Sequence, residues 1–134
     1  MASYYYYKMK RNSIKGLFAI VFVAAVTVLS GCKSKDPSIL KVFVRSENNE
    51  LVASAKVVII GDVNSTPATM PYVDTVVTNQ SGFAEFNMDD YFDNSGKETT
   101  GYFDIIVKKD TKTGEGRIRC RQHITAVETV FFPQ

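Results

Sequence analysis

The chain has 134 residues, 45% hydrophobic and 22% charged, with two cysteines, one histidine and 16 basic against 14 acidic residues, net +2. That length supplies one core, not two. Two cysteines allow one disulfide at most, one histidine leaves a His-rich metal site or a Ser-His-Asp triad poorly supplied, and so mild a positive balance does not make a phosphate-backbone binder.

At the start of the chain a basic stretch (Lys8, Lys10, Arg11, Lys15) leads into an apolar run from Leu17 to Leu29, followed by Ser30, Gly31 and Cys32. A positive n-region, a short apolar h-region and small residues at a cut point form the order of a secretory signal. As a helix the run spans about 20 Å against a hydrocarbon core of about 30 Å, too short for a permanent span. Four consecutive tyrosines, Tyr4 to Tyr7, are foreign to an n-region. A start at Met9 gives a compact signal; a genuinely extended n-region is the alternative. Residues 1–31 are read as signal peptide and left out of fold reasoning. Four of the basic residues and none of the acidic ones precede Cys32, which leaves twelve basic against fourteen acidic after it, net −2. The positive balance belongs to the leader, and nucleic acid is not an expected partner.

Leu29-Ser30-Gly31-Cys32 resembles a bacterial lipobox. The resemblance implies cleavage between Gly31 and Cys32, a diacylglyceryl group on the Cys32 thiol, an acyl group on the new N-terminus, and a membrane held through that lipid. No other cofactor is expected. Lipoproteins kept in the inner membrane often carry Asp where this chain has Lys33, so the resemblance implies the outer membrane. Lys33-Ser34-Lys35-Asp36 has a single acid rather than the acidic cluster of some surface-exposed lipoproteins, which implies a domain facing the periplasm, with the cell surface as the alternative.

Residues 32–38 read as a polar tether and 39–134 as one small all-β domain, because short period-2 runs alternate with turn residues. Leu40, Val42 and Val44 alternate with Lys41, Phe43 and Arg45, and Glu47 to Glu50 makes a turn. Ala55, Val57 and Ile59 give the next inward face; Val58 and Ile60 are apolar too, so that strand is expected to be covered on both sides. Gly61 to Tyr72 reads as a loop and Thr75 to Thr78 as a strand. Asn79 to Gly82 then turns into Phe83-Ala84-Glu85-Phe86, with Ala84 and Phe86 inward. Asp89 to Gly101 reads as a polar loop, Tyr102 to Lys109 as a strand with Phe103, Ile105 and Val107 inward, and Asp110 to Gly116 as a turn. Arg117 to Ile124 and Val127 to Phe132 close the chain, with a bend near Thr125-Ala126. The count is seven strands, with no helix of consequence after the signal.

Leu40-Lys41-Val42-Phe43-Val44, the turn, and Leu51 through Ile59 resemble the opening hairpin of transthyretin-like (carboxypeptidase regulatory-like) and bacterial Ig-like domains. Thr78-Asn79-Gln80-Ser81-Gly82-Phe83-Ala84-Glu85-Phe86 is similar to their Thr-Asp-x-x-Gly-x-Ala-x-Phe turn, and Gly82 suits a position that needs φ > 0. The resemblance implies a seven-stranded antiparallel Greek-key β-sandwich serving as a scaffold or binding module, with Gly61 to Thr75 as an insertion.

Candidate chemistry is sparse. Cys120 alternates with Ile118 on a face opposite Arg117, Arg119 and Arg121, so the thiol is expected to be buried. The three arginines, with His123 in step, form a candidate partner-binding stripe; cross-strand carboxylates would make it an ordinary solvated face. Asp89, Asp90, Asp93 and Asn94 carry oxygen ligands but lack the alternating spacing of a Ca²⁺ loop, so a solvated loop is expected and no metal. Phe83, Tyr91, Phe92, Tyr102 and Phe103 serve either as core or as a sugar-stacking platform. No catalytic residue is expected. The sequence thus predicts a non-enzymatic, membrane-anchored accessory lipoprotein binding another envelope protein, with a tethered carbohydrate or small-ligand module as the alternative.

Overall fold

Alternation of apolar and polar side chains sets the strands. The computed structural model describes residues 35–133; Gly31, Cys32 and the signal before them lie outside the described residues. The elements are β1 (Ile39–Ser46), β2 (Lys56–Gly61), β3 (Val73–Val77), β4 (Phe83–Asn87), α1 (Asp89–Asn94), β5 (Thr100–Lys109), β6 (Lys112–Arg121) and β7 (Thr125–Phe132). They build an all-β sandwich of seven strands: a three-stranded sheet ordered β4-β1-β7 faces a four-stranded sheet ordered β3-β2-β5-β6. Four ladders are antiparallel as expected; the expectation is corrected at the fifth, where β1 and β7 run parallel. The parallel pair arises because β6 belongs to the opposite sheet, so the chain changes sheets before β7 joins β1.

The inward sets expected from the alternation are buried together: Leu40, Val42 and Val44; Ala55, Val57 and Ile59; Ala84 and Phe86; Phe103, Ile105 and Val107; Ile118 and Cys120. Each large apolar side chain among them contributes roughly 1.5–3 kcal/mol relative to exposure. Gly82 takes φ +67 in the Asn79–Gly82 turn, where Asn79 Oδ1 accepts the Ser81 N–H at 2.9 Å.

Five local expectations are corrected. Lys112 already pairs with Lys109, so β5 and β6 are joined by Asp110 and Thr111 alone, and Gly114 and Gly116 lie inside β6 rather than in a turn. A Cβ on Gly114 or Gly116 would stand 2.9 or 2.8 Å from a methyl of Val130; the glycines are space for β7, not turn residues. The bend before β7 falls at Gln122–Ile124, with His123 at φ +61, rather than at Thr125-Ala126. Asp89 to Gly101 is not wholly a loop: α1 turns Tyr91 and Phe92 into the core. Val58 and Ile60 are half-buried rather than covered. Ser38 is a structural residue as well as the end of a tether. It has no exposed surface; its N–H donates to Asp89 Oδ1 at 2.8 Å, and its hydroxyl and carbonyl oxygens accept the His123 and Met88 N–H groups, each at 2.8 Å.

Candidate protein-binding face

The outer face of the four-stranded sheet carries the predicted stripe. Register aligns its rows: Val73, Ile60, Asp104 and Arg117; then Thr75, Val58, Ile106 and Glu115; then Val77, Lys56, Lys108 and Thr113. Tyr102 stands opposite Arg119, and Thr100 opposite Arg121.

The stripe is not uniform. Arg117 is ion-paired with Asp62, and its Nε lies 3.9 Å from its cross-strand neighbour Asp104. Exposed pairs of this kind contribute roughly 0–1 kcal/mol, but they neutralise the charge. Asp62 reaches this position because its loop is tightly wound: its Oδ1 accepts the Asn64 N–H at 2.9 Å and its carbonyl accepts the Ser65 hydroxyl at 2.7 Å. Across the same loop, Thr69 Oγ1 accepts the Tyr102 N–H at 2.8 Å. Arg119 and Arg121 have no carboxylate within 4.0 Å among the described residues and remain exposed cations.

His123 is not in step with the arginines. It sits in the turn after β6; its N–H is bound to Ser38, and its Nδ1 lies 2.9 Å from the Asp36 carbonyl oxygen. It belongs to the anchorage of the first strand. Cys120 has no exposed surface, and burial pushes its thiol up to about 11. Asp89 is engaged by Ser38, and that hydrogen bond holds its carboxyl below the ordinary value. Asn94 donates to the Asp90 carbonyl at 2.7 Å. No group of three metal-ligating side chains converges among the described residues.

Of the five candidate stacking aromatics, Tyr91, Phe92 and Phe103 are core, and Tyr102 is half-buried opposite Arg119. Phe83 is half-buried on the outer face of the other sheet; its ring is tilted 56° from that of Phe43 and covered by the Lys41 ammonium at 4.5 Å. A sugar platform needs a free, flat ring face, which this tilted and capped pair lacks.

The charge pattern of the stripe is readable from sequence; its apolar half is not. Val73 is 66% and Val77 54% exposed, and with half-buried Val58, Ile60 and Ile106 they make an apolar strip beside the arginines. The available signal was the apolar residues at both parities of β2, which mark either a covered face or a face awaiting cover.

No protein-family model matches the chain, and no curated protein matches it either. Among solved structures, the TIE protein of Bacillus anthracis is 14% identical over 74% of this chain and 17% of its own, with a TM-score of 0.49. Chlorocatechol 1,2-dioxygenase from Pseudomonas putida is 15% identical over 77% of this chain and 62% of its own, with a TM-score of 0.42. Likenesses of that size carry no argument about what this chain does.

Proposed function

We propose that the chain is a non-enzymatic accessory lipoprotein of the bacterial envelope, held to the outer membrane by lipid on Cys32 and facing the periplasm, whose β-sandwich binds another envelope protein. The observation that carries the binding half is one sheet face that bears exposed Val73 and Val77 on its β3 edge, half-buried Val58, Ile60 and Ile106 across its middle, and the two uncompensated arginines, Arg119 and Arg121, on its β6 edge. An apolar centre with a charged rim suits a protein surface. Among the described residues, a hollow of about 230 Å³ between Lys109, Lys112, Val52 and Phe132 falls below the roughly 300–1,000 Å³ of small-molecule sites, which disfavours a small ligand there. The anchoring half rests on the order of charge, apolar run and Leu29-Ser30-Gly31-Cys32. Two acyl chains or more give stable insertion where one is marginal.

The test has two arms. Labelled palmitate should enter the wild type and not Cys32→Ala, which should persist as precursor; equal labelling ends the lipoprotein reading. In intact cells, a photo-crosslinker at position 106 should trap an envelope protein, and Arg119→Glu should cut the yield several-fold. A yield untouched by Arg119→Glu reduces the stripe to solvated charge.

A further inference from the structure

We propose that the free edge of β3 is a strand-acceptor site: it takes an extended segment of the partner protein in antiparallel pairing, with a lysine or arginine of that segment opposite Asp74. This deepens the protein-binding reading above and rests on it.

Among the described residues, β3 ends the four-stranded sheet and is paired on one side only, with β2. The Gly61 N–H donates to the Tyr72 oxygen and the Thr78 N–H to the Ala55 oxygen, each at 2.8 Å. Antiparallel ladders alternate, so Tyr72, Asp74, Val76 and Thr78 direct their backbone groups to β2, and Val73, Thr75 and Val77 direct theirs outward. Among the described residues, the outward Thr75 N–H meets only its neighbour's carboxylate, Asp74 Oδ1 at 2.7 Å. Among the described residues the outward backbone groups of Val73 and Val77 have no hydrogen-bond partner.

The same three residues place their side chains on the outer face, where Val73 and Val77 are the exposed part of the apolar strip. An added strand therefore satisfies the backbone and covers the valines at once, the two contributions that drive strand addition.

The charge chooses between a foreign strand and a second copy. Val73-Asp74-Thr75-Val76-Val77 could pair with itself about Thr75, but that pairing brings two Asp74 carboxylates onto one side of the seam, two residues apart along it. Inward-pointing charge on an edge strand is a device that opposes self-pairing. The neighbourhood is negative beyond Asp74: burial first, then the Asp74 carboxylate, raise the Tyr72 hydroxyl above its ordinary value, and Asp90 adds to it. A cation opposite Asp74 removes this obstacle, and β-branched or aromatic side chains opposite Val73, Thr75 and Val77 continue the apolar face.

The full chain, purified in detergent, tests this with two labelled peptides: Ser-Val-Val-Thr-Lys-Val-Ser, and the same sequence with Glu for Lys. Fluorescence anisotropy should show the Lys peptide binding at least tenfold tighter to the wild type, the order reversing with Asp74→Lys and the difference vanishing with Asp74→Asn. Amide shifts on binding should concentrate at Val73, Thr75 and Val77. Because Asp74→Lys could misfold, the Asp74→Asn comparison and the wild-type amide shifts stand without it. Equal affinity for the two peptides, no binding of either, shifts concentrated at Arg119 and Arg121 on β6, or a wild type that dimerises in sedimentation would each overturn the proposal. Loss of crosslinking with Arg119→Glu while the peptides fail would sink the edge alone and leave the protein-binding reading in place.

Discussion

Cys120 and Arg119 are neighbours in sequence with opposite surroundings, and the difference decides what each can do. The thiol has no exposed surface, and burial disfavours its ionised form, so its proton is held up to about pH 11 against the ordinary 9.0. The folded state retains a proton that the unfolded state has lost between those values. The stability this gives is complete below about pH 9 and is lost as pH rises through 11. Thiol reagents at pH 8 should therefore label Cys120 only at the rate of unfolding; fast labelling of folded protein would contradict the burial. Cys120→Asp places an unpaired charge in the core and should cost several kcal/mol in thermal or urea unfolding, enough to unfold a marginal domain. Arg119→Glu, on the solvent side, should change stability by less than about 1 kcal/mol.

At the scale of elements, β6 and β7 show how one strand makes room for another. Gly116 leaves space that the Val130 side chain fills, and an added Cβ would stand 2.8 Å from Val130 Cγ2. Gly116→Ala should cost about 1–3 kcal/mol through overpacking. Val130→Ala alone should also destabilise, by leaving a cavity. The double variant should lose less than the sum of the two, because the new methyl enters the space the valine left. Urea midpoints for the three variants give the coupling; strict additivity would mean the two sites do not share that space. This is also where sequence reading ended. Period-2 alternation located β1, β2, β4 and β5 and their inward faces, because burial on one face writes itself into every second residue. Gly114 and Gly116 read as a turn because a missing side chain looks the same whether the backbone bends or a neighbour leans in. Tyr91 and Phe92 read as loop because a six-residue helix is too short to display a helical period. The arginines of the candidate face were legible as alternation; the pairing of Arg117 with Asp62 was not, since it joins residues 55 apart.

For the molecule as a whole, the consequential boundary is the one between tether and domain. Sequence places it at Ile39, where alternation starts, but the first structural contacts come earlier. Ser38 is bonded to Asp89, Met88 and His123, and the Asp36 carbonyl oxygen lies within hydrogen-bonding distance of the His123 ring. These contacts fasten the start of β1 to α1 and to the turn before β7, linking three distant parts of the chain at one end of the sandwich. Loss of Ser38 would leave the Met88 and His123 N–H groups to find water, at about 1 kcal/mol or more each. A chain beginning at Lys35 should therefore fold with one cooperative transition, and one beginning at Ile39 should be less stable by about 2–4 kcal/mol. Asp89→Ala in the longer chain should reproduce only part of that loss, because it removes only the bond to the Ser38 N–H. Urea unfolding of the three proteins decides it. Matching midpoints for the chains starting at Lys35 and Ile39 would return residues 35–38 to the tether.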